Sequence, residues 1–133
     1  MIFVDTGAFL GRYLISDQYH DAALRLWERI EREREHCVTS NFVLDETFTL
    51  LARRSSYSYA AEKAKTIYAS DNFLILRPDS AAELAAISLF EKFADQEVSF
   101  TDCISFVLMH NSRIRRAFSF DAHFERVGFE LWR

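Results

Sequence analysis

Apolar residues fall along this chain in short runs that alternate with helically spaced sets. Residues 1–4, MIFV, form a run suited to a buried strand, and Asp5 follows directly. Thr6 to Leu10 then opens a helix. Over 17–35 the positions Ala22, Ala23, Leu26, Trp27 and Ile30 recur at three- and four-residue intervals. This predicts a long amphipathic helix, with the tail EREREH as its solvated face. Residues 37–39 read as a brief strand. Ser40 or Asn41 can cap the next helix, which runs to about Arg54. On its wheel Val43, Leu44, Thr47, Leu50 and Leu51 face inward. Glu46 sits at the margin of that face, while Asp45 points away with Thr49 and Ala52.

The second half repeats the alternation. A helix is predicted over 57–70 with Ala60, Ala64, Ile67 and Tyr68 as its apolar set, then a strand over 73–76 stopped by Arg77-Pro78. Asp79 or Ser80 caps a helix carrying Leu84, Ile87, Leu89 and Phe90, ending near Ala94. Within 99–121, Asp102 opens a helix that is apolar on nearly all sides. A turn crowded by Arg113, Arg115 and Arg116 leads to a strand over 117–120, and Asp121 stands at its end. A short helical segment and a last edge strand over 129–132 complete the series. Strands alternating with helices predict an α/β fold with a mostly parallel sheet covered on both faces and right-handed crossovers. Parallel strands share a C-terminal edge, so Asp5, Asp102 and Asp121 converge there, and Glu46 can reach in from a flanking helix.

Composition narrows the setting. At 133 residues, half of them hydrophobic, with three Gly, one Pro and thirteen Phe, the chain is expected to form a single domain over 1–133. No apolar run approaches the roughly 18 residues of a membrane span, and the start lacks the basic and long apolar segments of a signal peptide. Cys37 and Cys103 are too few for a disulfide framework and are expected as buried thiols in a reduced cytoplasmic protein. A net charge of −4 argues against general coating of nucleic acid but leaves room for a local basic rim.

Each acid has a bland reading beside the functional one. Asp5 can be an N-cap, Asp102 can complete a capping box with Ser99, and Glu46 can pair with Arg53. Carboxylates forced together stay ionised only if a cation offsets them. An oxygen-only donor set suits Mg²⁺ or Mn²⁺, and the matching chemistry is phosphodiester hydrolysis. Arg53, Arg54, Arg113, Arg115 and Arg116 are candidates for phosphate contacts, or ordinary surface charge.

Taken together, Asp5-Thr6 after an apolar strand, Glu46 within LDETFTLL, Thr101-Asp102 at a buried helix, and Phe118 to Phe124 (FSFDAHF) resemble the PIN-domain ribonucleases. The resemblance is nearest to VapC-type toxins of toxin–antitoxin pairs and spans the whole chain. It implies a three-layer α/β/α sandwich with a sheet of four to five strands, and an endoribonuclease dependent on Mg²⁺ or Mn²⁺. It further implies that Asp5, Glu46, Asp102 and Asp121 form the catalytic and metal-binding quartet, with Thr6 and Ser119 as supporting hydroxyls. Implied partners are an RNA substrate, a cognate antitoxin and a second copy in a homodimer. His123 is expected to serve packing or support rather than ligation. Gly7, where Ser is more usual, and the acidic balance depart from the pattern. Two other readings compete. One is a non-catalytic module on the same fold. The other is phosphotransfer at Asp5, disfavoured because DTGAF lacks the second nearby acid of the common phosphatase motif.

Overall fold

The computed structural model describes residues 1–133. Its centre is a five-stranded, all-parallel sheet in the order β3-β2-β1-β4-β5. The strands are β1 (Ile2–Val4), β2 (Cys37–Ser40), β3 (Phe73–Leu76), β4 (Arg116–Phe118) and β5 (Glu130–Leu131). The helices between them are α1 (Thr6–Tyr13), α2 (His20–Glu33), α3 (Asn41–Arg54), α4 (Tyr57–Ala69), α5 (Ser80–Lys92), α6 (Phe100–Asn111) and α7 (His123–Arg126).

The chain winds outward from β1 to β3, then jumps back across the sheet to β4 on the other side of β1. With right-handed crossovers, that reversal sends α1–α4 to one face and α5–α7 to the other. The three layers are the expected sandwich. Strand order reverses between β1 and β4, and in open α/β sheets ligands bind beyond the C-terminal ends at such a reversal. Val4 pairs with Phe118 at that point, and the Asp5 N–H continues the ladder by donating to the Phe118 carbonyl at 3.0 Å.

An aromatic core fixes the layers. Trp27 of α2 lies 5.2 Å from Phe118 and 5.7 Å from Phe9, centroid to centroid, and its Nε1 donates to the Ala8 carbonyl. On the other side Phe106 of α6 meets Phe124 and Phe129 edge-on or tilted. A Cβ on Gly11 would lie 2.8 Å from that of Ala23, so α1 and α2 cross this closely only because Gly11 has no side chain. Both cysteines are buried and unpaired. No helix is long and apolar enough to cross a membrane.

The structure corrects several expectations. Helix α2 starts at His20, because residues 15–19 form turns, and it ends at Arg34 in the left-handed conformation. Strand β4 is shorter than predicted and stops at Phe118, two residues before Phe120. Ala52 is buried rather than turned outward, because α4 packs over it through Ala60. The largest revision is α5. Its inward face is Ala82 and Ala86, whose small side chains let it lie close to α6, while Leu84, Ile87 and Phe90 are 66, 51 and 46 % exposed. Tyr68 on α4 is likewise exposed.

Candidate active site

A recess of about 530 Å³ opens at the C-terminal edge of the sheet, and Asp5, Thr6, Glu46, Asp102 and Asp121 all line it. Four acids read separately from the sequence therefore meet in one place.

Asp5 stands at the N-cap position of α1, yet its side chain makes no capping bond. It is buried and instead accepts a 2.9 Å hydrogen bond from the Ser119 hydroxyl. The N-cap explanation therefore does not account for it. The Ser119 oxygen in turn accepts the Asp121 N–H at 3.0 Å, so one hydroxyl ties the end of β1 to the loop after β4. The Thr39 hydroxyl donates to the Val4 carbonyl at 2.9 Å and pins the last peptide of β1.

Asp102 makes the capping box weighed for it and also lines the recess. Ser99 Oγ accepts from the Asp102 N–H at 3.0 Å, and Asp102 Oδ2 accepts from the Ser99 N–H at 3.3 Å, a full capping box. That box engages Oδ2 and fixes the rotamer, with the carboxylate lining the recess. Glu46 is half-buried, and no ion pair of the chain includes it; Arg53 is exposed. Its charge bears on both Asp5 and Asp102.

The electrostatic cost is visible. Burial, then the neighbouring Asp102 charge, pushes the Asp5 carboxyl up to about 7, against the lowering effect of the Ser119 bond. Burial, then the Asp121 charge, pushes Asp102 up to about 6, against its hydrogen bonds from Ser99. Unpaired carboxylates in such a place call for a cation. The donor set is all oxygen, and the Thr6 hydroxyl, buried beside Asp5, has no hydrogen-bond partner. These residues fit a hard divalent ion, with the orphaned hydroxyl free to meet it or its water.

His123 belongs nearer the centre than the sequence suggested. Its Nδ1 lies 2.9 Å from Asp121 Oδ1 and 3.8 Å from Asp102 Oδ2, and its Nε2 lies 3.1 Å from the Gln96 carbonyl. One ligand atom each from Asp102, Asp121 and His123 falls within 4.8 Å of the others. The signal was the spacing Asp-x-His, which lets the Asp121 carboxylate also accept the His123 N–H at 2.9 Å and fold the ring back. Asp17 and Glu97, two more acids of the recess, carried no sequence signal because irregular turns bring them in.

Among the basic candidates only Arg54 lines the recess. Arg53 is exposed beside a shallow hollow formed with Phe48 and Tyr57. Arg113 and Arg115 lie before β4 and Arg116 is its first residue, all at the opposite edge of the sheet from the recess. Proximity to Asp121 in sequence misleads here, because the strand separates them by its length. Arg116 is engaged by a bidentate pair with Glu35 at 3.0 and 2.8 Å.

Comparison with known proteins agrees with this geometry. The PIN domain model matches residues 2–130. The 23S rRNA-specific endonuclease VapC20 of Mycobacterium tuberculosis is 35% identical over 129 residues, covering 97% of this chain and 95% of that protein. The VapC ribonuclease of Archaeoglobus fulgidus is 27% identical over 135 residues, covering 98% and 84% respectively. The crystal structure of M. tuberculosis VapC20, a sarcin–ricin loop cleaving toxin, superimposes with a TM-score of 0.88 at 32% identity, covering 97% of this chain and 96% of that one. The chain belongs to the PIN-domain family, among the VapC-type ribonucleases.

Proposed function

We propose that this chain is a Mg²⁺- or Mn²⁺-dependent endoribonuclease acting as the toxin of a cytoplasmic toxin–antitoxin pair, with its chemistry at Asp5, Glu46, Asp102 and Asp121. The observation that carries the reading is the meeting of four acids in one recess, two of them with protonation pushed toward neutrality by burial and mutual repulsion. Asp5, Asp102 and Asp121 would hold the ion, with Glu46 completing the negative field. A bound divalent ion supplies a water of lowered pKa and a positive charge for the phosphoryl oxygens. Ser119 holds the Asp5 carboxylate in place, the Ser99 box holds Asp102, and His123 holds Asp121 against the Gln96 carbonyl. The Thr6 hydroxyl is placed to orient a water or ligand beside Asp5. Arg54, at the rim, is the contact for a substrate phosphate.

Likeness to an enzyme named for 23S rRNA and for the sarcin–ricin loop supports a ribosomal RNA loop as substrate. The single PIN unit over 1–133 acts as a homodimer in this reading, supported by the exposed apolar stripe of Leu84, Ile87 and Phe90 on α5. A protein antitoxin is expected to silence it.

The test is cleavage of intact ribosomes and of a synthetic sarcin–ricin hairpin by purified protein with Mn²⁺ or Mg²⁺. Discrete fragments that vanish with EDTA and with Asp102→Asn are expected. Cleavage that survives both would move the site elsewhere.

A further inference from the structure

The recess presents a problem for any RNA. Six acids line it against one arginine, so backbone phosphates find little attraction outside the metal itself. Its wall, however, carries a feature without charge. Tyr19, from the turn before α2, lies flat on Phe120 with ring centroids 4.4 Å apart and planes 3° apart. Both line the same recess as the four acids.

Phe120 is seated firmly. It lies over α1 where Gly7 and Gly11 have no side chains, within 3.8 and 3.6 Å of where a Cβ would stand, and meets Phe118 edge-on. Tyr19 is the outer member of the stack and is 39 % exposed. Its turn is held without help from the ring. The Tyr19 N–H donates to Asp17 Oδ2 at 2.9 Å, its carbonyl accepts from the Ala23 N–H at 2.8 Å, and His20 Nδ1 lies 2.7 Å from the Gly11 carbonyl. A partly exposed aromatic side chain at the rim of an acidic recess, whose turn is held by other bonds, is suited to a flat apolar ligand.

We propose that the Tyr19–Phe120 stack is a platform for an unpaired nucleobase next to the scissile phosphate, so that base stacking rather than charge holds the substrate in this acidic site. The proposal rests on the ribonuclease reading above and specifies its substrate class. Stacking requires a base free of its helix, so the site takes single-stranded or loop RNA, and an A-form duplex does not satisfy it.

The test uses the full chain and a single-stranded oligoribonucleotide carrying 2-aminopurine beside the bond that the wild type cuts. In the Asp102→Asn background, binding quenches the probe. Adding Tyr19→Ala removes the quenching and weakens binding about tenfold, the scale of one base–aromatic stack. In the active protein Tyr19→Ala raises KM by a similar factor with kcat little changed. Tyr19→Phe restores both readouts, whereas Tyr19→Leu, which keeps apolar bulk over Phe120, restores neither. An unchanged KM in Tyr19→Ala, or recovery by Leu as complete as by Phe, overturns the proposal while leaving the nuclease intact. A wild-type chain that cleaves no RNA overturns the ribonuclease reading and this one together.

Discussion

The two edges of the central sheet treat charge in opposite ways. At the N-terminal edge, Arg116 grips Glu35 through two hydrogen bonds, and the terminal amine stands 3.9 Å from the same carboxylate. Arg116 and Arg29 also lie over the Trp132 ring, at 5.3 and 4.0 Å. The Arg116 hydrogen bonds hold the Glu35 carboxyl below its usual range. At the C-terminal edge, acids face acids, and Asp5 and Asp102 are pushed up toward neutrality. The same fold therefore satisfies charge where only stability is at stake and leaves it unsatisfied around the recess. Carboxylates kept there at a cost to the free protein imply a positive ligand that offsets them.

That contrast can be broken most severely from the acidic side. Asp5→Asn or Asp102→Asn removes a proposed ligand and should lower RNA cleavage by more than about 100-fold, since loss of a residue that merely supports a ligand costs roughly 10–100-fold. The same variants should raise the Tm of the metal-free protein, because they remove repulsion. A lower Tm would show that these acids are structural.

The pH dependence follows with a definite sign. Asp5 and Asp102 bind protons more tightly when folded than at their ordinary value of 3.8. Their contribution to the metal-free protein is full below about pH 4 and is lost as pH rises through about 6 to 7. Mg²⁺ should therefore stabilise the protein little at acid pH and progressively more toward neutrality, by on the order of a few kcal/mol in all, read as a growing rise in Tm. Thermal melts across that range, with and without Mg²⁺, check this; a metal effect independent of pH would contradict it.

His123→Ala should weaken Mn²⁺ binding by roughly 10–100-fold, as expected for a residue that orients a ligand. Calorimetric titration reads this directly. At the opposite edge, Glu35→Ala should cost about 1 kcal/mol of stability, seen in urea denaturation, and leave kcat unchanged. A loss of cleavage there would erase the distinction between the edges.

Much of this was legible because it depends on topology. Short apolar runs ending in Asp5 and Asp121, together with the crossover rule, place these acids on one edge without knowledge of any side-chain contact. The ambiguity at Asp5 and Asp102 was real, since an N-terminal cap and a ligand position occupy the same place in a strand–helix junction. Only geometry separated them, by an absent bond at Asp5 and a capping box at Asp102 that still leaves the carboxylate on the recess. Helix α5 misled because it carries two apolar stripes, one of alanines and one of larger residues, and periodicity alone does not say which is buried. The arginines at and just before the start of β4 misled because nearness in sequence hides the length of a strand. Tyr19, Asp17 and Glu97 were out of reach because turn conformations, which no periodicity encodes, bring them to the recess.

That the acids of the C-terminal edge hold a divalent ion is the proposal on which the rest depends. Mn²⁺ binding followed by electron paramagnetic resonance at neutral pH tests it most directly, with wild type, Asp5→Asn and Glu35→Ala side by side. Bound Mn²⁺ is expected in wild type and Glu35→Ala, and its loss in Asp5→Asn. Equal binding in all three, or none in the wild type at millimolar Mn²⁺, would contradict it.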